Sequence, residues 1–135
     1  MKTVIVGMFA MASWMIGGDA SAMDMPPLAK KNNCNACHAI DRRMFGPAWM
    51  DVAKAYNRVG ATGSAVDPAK YKVSRKVADI LAENQAKTAE EWLIRKVSKG
   101  GGGNWGESDM QDDNAPAVKA EDIKELVRFI LGLDK

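Results

Sequence analysis

Cys34-Asn35-Ala36-Cys37-His38 contains both cysteines and the single histidine of a 135-residue chain. C-x-x-C-H is the attachment signature of a c-type haem. The spacing has a chemical reason: two thiols three residues apart lie on one helical turn, where each can close a thioether to one of the porphyrin's two vinyl groups. The next residue, His38, then falls beneath the iron as proximal ligand. Two other readings of a C-x-x-C pair fail on the surrounding residues. A thioredoxin-type dithiol wants a preceding strand in an α/β pattern, whereas Pro27-Leu28-Ala29-Lys30-Lys31-Asn32-Asn33 reads as helix. Zinc wants four ligands, and the chain has no second Cys/His pair.

Lys and Arg total 19 against 17 acidic residues, a net charge of +2. With no basic stripe and no interleaved aromatics, this balance argues against a nucleic-acid partner. Aromatics make up 7% of the chain, so a buried haem would supply apolar volume that a chain of this size otherwise lacks. Residues 1–22 read as a signal peptide. Lys2 is a minimal positive region, Thr3 to Ile16 an apolar run, and Ala20-Ser21-Ala22 a small-x-small cleavage site. The run is shorter than the roughly 20 apolar residues of a membrane span. The expectation is export, cleavage after Ala22 and no membrane span thereafter, with an uncleaved anchor as the alternative. Residues 23–135 then form one domain.

The mature region reads as helices throughout. Pro27 opens one that runs to the haem motif, and Pro47 opens another through Trp49, Val52, Ala53 and Tyr56. Asp67-Pro68 starts a third, with Val73, Val77, Ile80 and Leu81 as its apolar stripe. Thr88-Ala89-Glu90-Glu91 is a capping box for a fourth, which carries Trp92, Leu93 and Val97 and stops at the glycines 100–103. A last helix, about Ala120 to Leu133, places Ile123, Leu126, Val127 and Ile130 at i, i+3, i+4, i+7. The fold class expected is all-α, about five short helices around one covalently bound haem.

The one histidine excludes bis-His ligation within the chain, so a methionine thioether is the natural sixth ligand. Met23 and Met25 lie near the start of the mature region, and Met44 and Met50 follow the motif closely. Met110 sits in the irregular stretch from Gly100 to Pro116, far along the chain from His38, where a loop can close over the opposite haem face. Met110 is the expected ligand; Met25, Met44 and Met50 remain alternatives.

With these residues in hand, the chain resembles the class I cytochromes c, in particular the small monohaem periplasmic ones that feed bacterial terminal reductases and oxidases. The resemblance rests on four segments in order. They are Cys34 to Asp41, Phe45-Gly46-Pro47-Ala48-Trp49 with Asp51-Val52-Ala53, Asn104-Trp105-Gly106 with Met110, and the C-terminal helix. It implies the class I cytochrome c fold and a periplasmic location, since cysteines meet haem outside the cytoplasm. It also implies that the Pro47 carbonyl accepts the Nδ1–H of His38 and that the Trp105 indole N–H binds a haem propionate, although an indole here can also simply pack. Two departures stand out. Met110 is followed by Gln111-Asp112-Asp113-Asn114 instead of Met-Pro-Pro-Asn, so the family asparagine's bond to the ligating sulfur is not carried over to Asn114. Residues 65–87 read as a helical insertion, whose Lys70, Lys72, Arg75 and Lys76 form either a solvated face or a docking patch.

The function this implies is transfer of single electrons between a respiratory donor and a terminal reductase or oxidase. The partners are redox proteins that dock transiently at an exposed haem edge with a monomer. No small-molecule substrate is called for, and the chain is not read as an enzyme. A peroxidase-like site needs distal acid–base machinery, usually histidine, and none is left once His38 is used. The same chemistry fits a haem c subunit of a larger dehydrogenase or oxidase complex.

Overall fold

The computed structural model describes residues 23–57, 68–71, 76–106, 110 and 120–135. Helices account for the regular structure: α1 (Pro27–Lys31), α2 (Trp49–Asn57), α3 (Pro68–Tyr71), α4 (Val77–Glu83), α5 (Ala89–Lys99) and α6 (Ala120–Gly132), with a 3₁₀ turn at Cys34–Ala36. Among the described residues there is no strand; an isolated antiparallel bridge joins Gly101 and Met110. The all-α expectation therefore holds. The signal-peptide reading of residues 1–22 lies outside the described residues.

Two helix boundaries differ from the sequence reading. The helix expected to run from Pro27 to the haem motif stops at Lys31, because Asn33 takes a left-handed backbone with φ 56°. Asparagine tolerates that conformation better than most side chains, and it ends the α-helix. The 3₁₀ turn carrying the cysteines then starts from a fresh direction. The single helix expected from residue 67 is two pieces, α3 and α4; Asp67 and Val73 lie outside the described residues. In α4, Val77, Ile80 and Leu81 are buried as the apolar stripe requires.

α2 begins two residues after Pro47. Its first two amides have no partner within the helix, and they donate to the residues that follow His38. Trp49 N–H reaches the Ala39 carbonyl at 3.0 Å and Met50 N–H the Ile40 carbonyl at 2.9 Å. The haem motif is thus stitched to the helix beside it.

α5 opens on Thr88, whose hydroxyl accepts the Glu91 N–H at 3.1 Å, while Glu91 reaches back to the Lys87 N–H at 3.0 Å. α6 packs against α5 and α2 and touches α1. Ile123, Leu126, Val127 and Ile130 join Trp92, Leu93, Val52 and Tyr56 in one core. Trp92 keeps its buried indole N–H satisfied by donating to the Tyr56 hydroxyl at 3.0 Å. The segments after α1 and at the end of α2 are tied to α6. Lys31 and Asn32 both donate to Asp122 on α6, and Asn57 at the end of α2 donates to the Leu131 carbonyl at 2.8 Å.

Candidate functional site

The segment from Cys34 to His38 is one closed turn. Cys37 N–H and His38 N–H both donate to the Cys34 carbonyl, at 3.2 and 2.9 Å. The turn carries both cysteines, Cys37 exposed and Cys34 half-buried, and the imidazole of His38 is largely buried. Nδ1 of His38 lies 2.8 Å from the Pro47 carbonyl oxygen. A carbonyl can only accept, so Nδ1 carries the proton and the Nε2 lone pair is left for a metal. Burial pushes the imidazole below its ordinary pKa, outweighing the opposite pull of the Pro47 bond, so the ring is held neutral.

Gly46 makes this approach possible. A Cβ built there would lie 2.7 Å from Nδ1 and 2.8 Å from Nε2 of His38, inside van der Waals contact. The Gly46 N–H also donates to the Cys37 carbonyl at 2.9 Å, drawing the loop over the haem motif. Gly46-Pro47 is therefore a clamp on the imidazole: the glycine gives clearance and the proline carbonyl fixes the tautomer.

Trp105 follows the glycine-rich stretch, where Gly100, Gly101 and Gly103 all take positive φ, a backbone that glycine adopts without steric cost. Its ring stacks on Tyr56 with centroids 6.3 Å apart and meets Tyr71 edge-on at 4.9 Å. Tyr71, 1% exposed, escaped the sequence reading. Its hydroxyl accepts the Ala48 N–H at 3.1 Å and donates to Asp51 Oδ2 at 2.6 Å. Lys70 donates to the same carboxylate oxygen, and Arg43 donates to the Lys70 carbonyl at 2.6 Å. Burial raises the Asp51 pKa, but hydrogen bonds from Lys70 and Tyr71 outweigh it and leave the carboxyl below its ordinary value. Burial, and then the bond to Asp51, push the Tyr71 phenol above its ordinary value. Lys70, read from sequence as part of a charged face, is thus engaged inside the fold; Lys72 and Arg75 lie outside the described residues.

Of the sequence-derived site residues, Cys34, Cys37, His38 and Pro47 come together in one cluster. Trp105 is linked to that cluster through Tyr71 and Ala48. Met110 is half-buried and pairs with Gly101 through two backbone hydrogen bonds of 2.7 and 3.0 Å, which fasten it to the loop that carries Trp105. A cleft of about 270 Å³ beside His38 is lined by Met25 and Met44 among others, and Met110 does not line it. Met50, the remaining alternative ligand, is half-buried on α2. The donor set suits an iron porphyrin: two thiols on one turn, a neutral imidazole with a free Nε2, and a glycine that leaves the ring room.

A closed turn bearing two thiols, with its histidine oriented by a backbone carbonyl in an all-α frame, defines a covalent-haem protein of c type. The relatives agree. The chain is 35% identical to cytochrome c-551 of Allochromatium vinosum over 106 residues, 78% of this chain and 82% of that protein. It is 32% identical to cytochrome c-552 of Nitrosomonas europaea over 133 residues, 98% of this chain and 99% of that one. The crystal structure of wild-type Nitrosomonas europaea cytochrome c552 superposes with a TM-score of 0.54 at 28% identity, covering 79% of this chain and 96% of that one. No family model matches the sequence. The chain belongs to the class I c-type cytochromes, and it is a small electron-transfer cytochrome with one covalently bound haem c.

Proposed function

We propose that the chain shuttles single electrons in the periplasm between a respiratory donor and a terminal reductase or oxidase. Cys34 and Cys37 would hold the haem as thioethers, and His38 Nε2 and the Met110 sulfur would ligate its iron. The observation that carries this reading is the 2.8 Å contact from His38 Nδ1 to the Pro47 carbonyl within the Cys34–His38 turn. It presets the tautomer and orientation that an axial imidazole needs. The haem supplies the redox chemistry; the chain's residues position it, exclude water and tune its electrostatics. With both iron ligands supplied by the chain, electron transfer would call for no substrate cavity or acid–base group. Redox proteins dock transiently at the haem edge of the monomer, with Arg42 and Arg43, both exposed on the loop after His38, as cations that steer the encounter. Asp109, Asp112 and Asp113, which the sequence places around Met110, lie outside the described residues. Among the described residues no helix is long and apolar enough to cross a membrane. Release from residues 1–22 after Ala22 leaves the domain at 23–135.

Met110→Ala tests the ligand set. Methionine ligation gives the ferric protein a weak charge-transfer band at the red end of the visible range. The variant is expected to lose that band and to bind carbon monoxide in the ferrous form. If the band persists, the sixth ligand is Met25, Met44 or Met50.

A further inference from the structure

The carbonyl that orients His38 and the amide bonded to Tyr71 belong to one peptide unit, that between Pro47 and Ala48. Its oxygen accepts from His38 Nδ1 at 2.8 Å; its N–H donates to the Tyr71 hydroxyl at 3.1 Å; and that hydroxyl donates to Asp51 Oδ2 at 2.6 Å. The three bonds run head to tail, each donor pointing toward the carboxylate. Ala48 is 0% and Tyr71 1% exposed, so water cannot take over the middle link. Hydrogen bonds in such a chain polarise one another, the more so in a dry setting. Donation from the Ala48 N–H shifts electron density along the peptide toward the Pro47 oxygen and makes it a stronger acceptor.

We propose that Tyr71, backed by Asp51, is a positioning residue that acts on the axial imidazole through the Pro47–Ala48 peptide and holds the haem reduction potential down. The inference rests on the reading of His38 as an iron ligand. A stronger acceptor on Nδ1–H makes the imidazole a better electron donor through Nε2, which favours the oxidised iron. Tyr71 lies within residues 65–87, the segment read from sequence as inserted, so this segment reaches the proximal side of the site. Lys70, on the same carboxylate oxygen, moderates the relay by drawing charge away from Asp51.

The test is Tyr71→Phe in the haem-loaded protein. Phenylalanine keeps a ring against Trp105 and removes only the oxygen. The reduction potential is expected to rise, favouring reduction roughly threefold, or about 28 mV at about 59 mV per decade for one electron. The His38 Nδ1–H proton resonance of the ferrous protein is expected to move upfield as its hydrogen bond weakens, while the low-spin absorption spectrum stays unchanged. If Tyr71→Phe does not fold, Asp51→Asn carries the test: the potential and the proton resonance should shift in the same directions, by less. Following the proton as well as the potential separates the relay from simple loss of a charge near the haem. A variant with low-spin absorption but unchanged potential and unchanged Nδ1–H overturns the relay and leaves the haem reading standing. Wild-type protein with no resonance from an iron-bound imidazole overturns the haem reading itself.

Discussion

At the scale of single residues, the proximal clamp turns on one missing methyl group. His38 is held on one side by the covalent turn of its own motif and on the other by the Pro47 carbonyl, so it cannot retreat from a side chain at position 46. Gly46→Ala must displace either the ring or the loop, and overpacking of this kind costs about 1–3 kcal/mol. Denaturation of the haem-loaded protein should show that loss, together with a weakened His38 Nδ1–H bond. Gly132→Ala supplies the control, since a Cβ there meets nothing within 4 Å. It should be neutral or stabilise by a few tenths of a kcal/mol. The thiols, the imidazole and Pro47 were legible in the sequence because covalent chemistry fixes their spacing along the chain. The clearance at Gly46 was not, since it depends on how closely two segments eight residues apart approach in space. Tyr71 offered no signal at all: a tyrosine between lysines in a short helical stretch reads as surface, and only the fold shows it beneath Trp105.

At the scale of elements, local chemistry and tertiary contacts divide the outcome. α5 and α6 start and stop close to where caps, glycines and apolar periodicity place them. The capping box at α5 is real but shifted on one side: Thr88 accepts the Glu91 N–H as expected, while the Glu91 carboxylate satisfies Lys87 instead of Thr88. Glu91 also pairs with Arg95 one turn on at 2.9 Å. Thr88→Ala removes the hydroxyl from the N-cap and should cost about 1 kcal/mol, read as a fall in the denaturation midpoint with an unchanged slope. Haem absorption should stay as in the wild type, because Thr88 caps the end of α5 opposite the glycine loop that pairs with Met110. The elements that sequence misplaced are those governed by a backbone exception or a distant partner. α1 ends early at a left-handed asparagine. The segment expected as one helix from residue 67 divides into α3 and α4, and at the end of α3 Tyr71 is committed to Ala48, Asp51 and Trp105. Helical periodicity carries no information about either effect.

At the scale of the whole molecule, one charged cluster joins segments that share no regular structure. Arg43, which follows the haem motif, donates to the Lys70 carbonyl; Lys70 and Tyr71, which close α3, both donate to Asp51 on α2; and Tyr71 meets Trp105 from the loop after α5. Asp51 is the hub, because one of its oxygens serves both Lys70 and Tyr71. Its folded-state pKa is depressed, so the stability it supplies is present above the unfolded aspartate value of about 3.9. That stability is lost as pH falls through the lower folded value. Tyr71 bounds the other side: its phenol is raised, so its contribution is full below about pH 10 and lost as pH rises beyond. Asp51→Asn should therefore be less stable than wild type at neutral pH by about 1.5–3 kcal/mol, the worth of a hydrogen bond to a charged acceptor. As pH falls below about 4 the two proteins should converge, because protonated Asp51 and asparagine are both neutral. Urea denaturation of haem-loaded wild type and variant, from neutral pH to well below the unfolded aspartate value of about 3.9, measures the gap directly. A gap that stays constant down to the lowest pH would mean that Asp51 holds these segments together by shape and not by charge.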